Sequence, residues 1–91
     1  MKKYKIYVGG HPREIKRILS ILFKLGYVFT PNRVRTMENV EKLWSDGRMA
    51  YWNWIVTGYD EECKAVLCVM NGDDGENRTE ITIEQFLKLE S

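Results

Sequence analysis

Residues 65–70, Ala-Val-Leu-Cys-Val-Met, carry no polar side chain on either parity. A strand sends alternate side chains to opposite faces, so an unbroken apolar run needs cover on both. A chain of 91 residues has room for one domain, residues 1–91, and one main core. Its one long amphipathic segment places Ile15, Ile18, Leu19, Leu22 and Leu25 at helical spacing, with Arg13, Lys16, Arg17 and Lys24 on the opposite side. Pro12 suits the first helical position, Glu14 suits the positive helix start, and Gly26 supplies a left-handed stop. The pattern predicts a helix over 12–25. That helix protects one sheet face; short helices or a second copy of the chain must protect part of the other. A homo-oligomer, most simply a dimer, is therefore expected.

Tyr4, Ile6 and Val8 alternate with Lys3, Lys5 and Tyr7, which predicts a half-buried strand over 3–8 ended by Gly9-Gly10. A short strand over 27–30 should stop at Pro31-Asn32, with 33–36 extended. Residues 38–45 suit a short helix closed by Gly47, though a strand entering a Ser45-Asp46-Gly47 turn fits the same residues; the helix is preferred. Residues 48–57 are rich in aromatic and β-branched side chains and predict a long strand. Within it Trp52, Trp54 and Val56 share one parity and most simply pack against helix 12–25. After an acidic turn at 58–62, the turn cluster 71–75 should join the apolar strand to a strand over 79–83 as a hairpin. Thr82 and Gln85 then have capping-box spacing, which predicts a C-terminal helix. The expected class is α+β, an antiparallel sheet of four to five strands with helix 12–25 on one face and short additional helices.

Charge is sorted along the chain. Residues 1–35 hold nine Lys or Arg against Glu14 alone, and residues 36–91 hold five bases against twelve acids. Such asymmetry suits a face that meets an anion or a head-to-tail contact between copies. No segment predicts a membrane span, and the start lacks the long apolar core and cleavage site of a signal peptide. A soluble protein of the bacterial cytoplasm is expected.

Little points to catalysis. The single histidine, His11, sits beside Pro12 at a helix entrance, which suits a loop or cap better than a nucleophile's partner. Cys63 and Cys68 have odd spacing, so on one strand they face apart and stay reduced. The acidic runs at 60–62 and 73–76 match no calcium-loop spacing, and Gly9-Gly10 lacks the phosphate-loop signatures. The expectation is a non-enzymatic binder with no cofactor and no metal. Cations and rings supply the candidate ligand surface. Lys3, Lys5, Arg33, Arg35 and Arg48 would hold phosphate, while Tyr7, Tyr51 and Trp54 would stack on a base. Trp44, near a turn, is the candidate interface residue.

Tyr4-Lys5-Ile6-Tyr7-Val8, the helix ending Leu22-Phe23-Lys24-Leu25-Gly26-Tyr27, and the late stretch from Glu80 to Leu87 together resemble small bacteriophage-encoded accessory proteins. The tryptophan usual shortly after the Gly-Tyr phrase is replaced here by Phe29. The resemblance implies an anti-defence role, as an oligomeric sponge for an anionic, cyclic nucleotide signal of the Thoeris or CBASS kind. Its alternative is an anti-CRISPR type of inhibitor that docks on a nuclease or other bacterial defence effector protein. A third reading is a small nucleic-acid-binding protein. The resemblance carries fold motifs and assigns no site residue.

Overall fold

The N-terminal alternation becomes β1 (Tyr4–Tyr7), and the amphipathic segment becomes α1 (Pro12–Lys24). The computed structural model describes residues 3–30, 32–57, 64–70 and 78–90. Along the chain follow β2 (Val28–Phe29), α2 (Met37–Leu43), α3 (Asp46–Met49), β3 (Trp54–Thr57), β4 (Ala65–Val69), β5 (Thr79–Glu80) and α4 (Ile83–Glu90). The acidic turn at 58–62, the turn cluster at 71–75, Cys63, and both acidic runs lie outside the described residues.

α1 ends as its sequence predicts. Gly26 takes φ +91, the Gly26 N–H donates to the Phe23 carbonyl at 3.1 Å, and the Tyr27 N–H donates to the Leu22 carbonyl at 3.0 Å. Those two bonds satisfy carbonyls that the end of a helix otherwise leaves open. Ile15, Ile18, Leu19 and Leu22 are all buried beneath the helix. They meet Ile6, Val8, Ile55, Val66 and Phe29 in one apolar cluster, which α4 closes with Ile83 and Phe86. Phe86 stands edge-on to Tyr4, with ring centroids 5.9 Å apart.

The sheet order is β2-β4-β3-β1-β5. β1 pairs antiparallel with β3, and β3 with β4, as expected. The two edges are parallel: β2 runs with β4, and β5 with β1. The sheet is therefore mixed, which corrects the antiparallel expectation. The hairpin from 65–70 to 79–83 does not form. Thr79 instead donates its N–H to the Lys3 carbonyl at 3.0 Å, so β5 seals the far edge of β1, and the strand is only two residues long.

Register divides the side chains. Ile6, Ile55 and Cys68 lie in line on the α1 face, while Tyr7, Trp54 and Val69 lie in line on the other. That second face is closed at one end, where Val56, Ala65 and Val28 are 0%, 3% and 5% exposed within a single chain. At that end the cover comes from within one chain, whereas Val69, farther along the same face, is only half-buried.

Two further expectations change. Residues 48–57 do not form one strand, because Ser45 opens α3, its carbonyl accepting N–H bonds from Arg48 and Met49. Gly47 lies inside that helix rather than ending α2, which stops at Trp44 as the backbone turns extended (φ −138, ψ 130). The parity shared by Trp52 and Trp54 breaks as well. Trp52 still belongs to the turn that closes α3, its N–H donating to the Met49 carbonyl at 2.9 Å, so strand alternation begins only after it. Trp52 joins the core under α1, and Trp54 lies on the opposite face.

The capping box at α4 forms reciprocally. The Thr82 N–H donates to Gln85 Oε1 at 2.9 Å, and the Gln85 N–H donates to Thr82 Oγ1 at 3.1 Å. Thr82→Ala is expected to cost about 1 kcal/mol in a urea melt, with Thr82→Ser nearly neutral.

Candidate functional site

Three aromatic rings from three different elements meet beside the core. Phe29 comes from β2, Trp44 from the end of α2, and Trp52 from the segment between α3 and β3. Trp44 stands edge-on to Phe29 at 5.3 Å between centroids, and to Trp52 at 5.8 Å; Phe29 and Trp52 are also 5.8 Å apart. With Thr30, Cys68 and Met70 they line a cavity of about 510 Å³. Arg48 from α3 and Tyr51 complete the lining. Tyr51 and Met70 are 66% and 59% exposed, so an open rim surrounds a buried aromatic interior. Burial pushes the Cys68 thiol well above the usual cysteine range, so its thiolate is scarce near neutral pH.

Glycine brings this wall into place. Gly10 (φ +69) donates its N–H to the Trp52 carbonyl at 2.7 Å, and a Cβ there would come within 2.4 Å of the Ala50 carbonyl oxygen. The Gly-Gly pair thus serves a close backbone approach. Lys16 ties the same wall to α1, its Nζ lying 3.1 Å from Glu41 of α2 and 2.7 Å from Asp46 of α3. Both carboxylates hold the Lys16 ammonium above its ordinary pKa, Asp46 more strongly than Glu41. Basic and acidic parts of the chain therefore meet within one molecule.

The candidate ligand residues separate into three places. Lys5, Tyr7 and Trp54 share the sheet face away from α1. There Lys5 Nζ lies 4.7 Å over the Trp54 ring, and the Tyr7 ring stands 5.0 Å from Trp54. Lys3 immediately precedes β1. Arg48 and Tyr51, expected to join that face, lie in the aromatic cavity instead, because α3 replaces the start of the predicted strand. Trp44, the candidate interface residue, is a half-buried wall of the same cavity.

Arg33 and Arg35 occupy the third place. Phe29 and Val34 exchange backbone hydrogen bonds of 2.7 and 2.8 Å, which turns Val34 inward to 8% exposure. Its neighbours Arg33 and Arg35 point outward and line a cavity of about 400 Å³ with Lys42 and Asn39 of α2. Consecutive residues serve the two cavities: Leu43 lines one and Trp44 the other. Sequence reasoning missed Phe29, Trp52 and Lys42 as site residues. Lys42 carried a usable signal, since it falls on the same face of a short helix as Asn39.

His11 is exposed at the N-cap of α1 and makes no capping bond with its side chain. Among the described residues, no group of three or more His, Cys, Asp and Glu could hold a metal ion. No helix among the described residues is long and apolar enough to cross a membrane. No protein-family model, curated protein or solved structure matches the chain.

Proposed function

We propose that this chain is a non-catalytic binding protein for an anionic nucleotide. Its ligand's ring rests on Tyr51 and the half-buried Trp44 at the mouth of the aromatic cavity, and a phosphate meets Arg48. The observation that carries this reading is the aromatic cavity with an arginine and a tyrosine in its lining. Its volume falls within the usual range of small-molecule sites, which are mostly apolar with a few placed polar groups. Every base has a π face, so rings of this kind retain nucleotides without reading a particular one, and stacking contributes about 1–3 kcal/mol per base. A guanidinium adds charge-assisted, paired hydrogen bonds to phosphate. The cellular role that suits such a binder is sequestration of a cyclic nucleotide signal of bacterial immunity, as the phage-protein resemblance implies.

Calorimetry with nucleoside monophosphates, cyclic dinucleotides, cyclic trinucleotides and ADP-ribose derivatives tests the reading. At least one is expected to bind and to be recovered chemically unchanged. Arg48→Ala and Tyr51→Ala should each weaken it at least about tenfold, equivalent to roughly 1.4 kcal/mol. Both side chains are exposed, so thermal melts should stay close to wild type. Failure of the wild type to bind any of these ligands at millimolar concentration rejects the proposal.

One observation favours a second reading. Tyr51 and Met70 form an exposed apolar rim, the kind of feature that anchors a protein partner. On that reading the protein docks on a defence effector, and Tyr51→Ala abolishes effector inhibition although no nucleotide binds.

A further inference from the structure

We infer that Arg33, Arg35 and Lys42 form a second anion subsite, so that the ligand is a nucleotide with more than one phosphoryl group. The identity of the ligand rests on the nucleotide reading above; the anion preference of the subsite does not.

Three cations from two separately anchored pieces of chain line one cavity, together with the amides of Asn32 and Asn39 and without a carboxylate. The β2–α2 connection supplies the arginines. Arg33 adopts φ +52, the one left-handed backbone outside glycine among the described residues. A bulky L-residue disfavours that conformation, so the Phe29–Val34 hydrogen bonds on either side must hold it. With Val34 turned into the core, its neighbours on both sides are presented together. Lys42 comes from α2, whose start is fixed by the Thr36 hydroxyl accepting the Asn39 N–H at 3.2 Å.

Among the described residues, the nearby acids do not neutralise the group. Glu41, on the same helix, points to Lys16 instead. Glu38 reaches Lys42 only at 3.7 Å, with both side chains largely exposed, where such a pair is weak and screened by salt. Two guanidiniums and an ammonium facing one concave space suit a phosphoryl group.

Position links this subsite to the aromatic cavity. Leu43 and Trp44 are consecutive, and Phe29 is hydrogen-bonded to Val34, so each lining holds two residues that neighbour residues of the other. On the nucleotide reading, a ligand with two phosphoryl groups reaches from one lining to the other. Nucleoside diphosphates and cyclic dinucleotides share this chemistry.

The experiment compares three kinds of probe on the wild type and on the double variant Arg33→Gln/Arg35→Gln, which keeps polar side chains of similar reach. The probes are inorganic pyrophosphate, a nucleoside monophosphate, and its diphosphate and cyclic dinucleotide counterparts. In the wild type the diphosphate or cyclic dinucleotide is expected to bind at least about tenfold tighter than the monophosphate. The larger of the two gains identifies the source. The double variant should lose that gain and leave monophosphate affinity unchanged. Pyrophosphate alone should shift the backbone amide resonances of residues 32–42 in the wild type but not in the variant. A gain that survives the double variant, or no gain at all, overturns the subsite. If no nucleotide binds, the nucleotide reading fails, and pyrophosphate then decides separately: unmoved amides at 32–42 overturn the subsite too.

Discussion

Leu22→Ala is expected to lower the unfolding free energy by roughly 2–5 kcal/mol, the range for deleting a leucine side chain from a core that relaxes only in part. Leu22 is 0% exposed and lies in the centre of the apolar cluster between α1 and the sheet. Its carbonyl also accepts the Tyr27 N–H that ends the helix, a bond that alanine preserves. The loss should therefore report packing alone. Urea melts with an unchanged slope and a lower midpoint are the expected signature. A loss well under 1 kcal/mol would place Leu22 at the surface and break the assignment of the buried face of α1.

Gly10→Ala is expected to destabilise by at least about 2 kcal/mol, from two separate causes. A left-handed backbone costs an L-residue about 1–2 kcal/mol, and Gly10 has φ +69. The new Cβ would also press within 2.4 Å of the Ala50 carbonyl oxygen, which is backbone and cannot rotate away. Relief requires the Ala50–Trp52 segment to move off the β1–α1 turn, which stretches the hydrogen bond from Gly10 to the Trp52 carbonyl. Because Tyr51 and Trp52 line the aromatic cavity, the proposed nucleotide binding should weaken together with the melting temperature. Gly26→Ala provides the comparison. Gly26 has φ +91, but nothing lies within 4 Å of the place a Cβ would take. That variant should lose stability through backbone strain alone and keep its cavity wall.

What the sequence made legible was local. The helix from Pro12, its glycine stop, and the Thr82–Gln85 cap each depend on residues within a few positions of one another, so spacing reveals them. The alternation of Tyr4, Ile6 and Val8 likewise set the buried face of β1 correctly. Choice of strand partner was not legible. β5 pairs with β1 through only Thr79 and Glu80, and no local pattern announces a parallel partner more than seventy positions away. α3 was hidden for a different reason: Asp46-Gly47 reads as a turn, and four residues are too few to show a helical period. The turn that closes α3 extends to Trp52, so the alternation on which Trp54 had been assigned to the core does not run from Trp52 to Trp54.

The site follows the same division. Arg33 and Arg35 could be paired from their positions on either side of Val34, because alternation is a property of the local chain. The gathering of Phe29, Trp44 and Trp52 could not, since it depends on how β2, α2 and the α3–β3 segment are brought together by the core. Arg48 and Tyr51 were legible as a cation and a ring, and illegible as to which surface would hold them.

The position of β1 in the sheet has a consequence for how the molecule is made. β1 is flanked by β3 and by β5, and β5 follows it in the chain by more than seventy positions. Pairing across such sequence separation closes large loops and is slow compared with helix formation. Until β5 docks, one edge of β1 presents open hydrogen-bonding groups, the kind of surface that recruits another nascent chain. Expression yield should therefore respond more sharply to changes at Thr79 and Glu80 than equilibrium stability does.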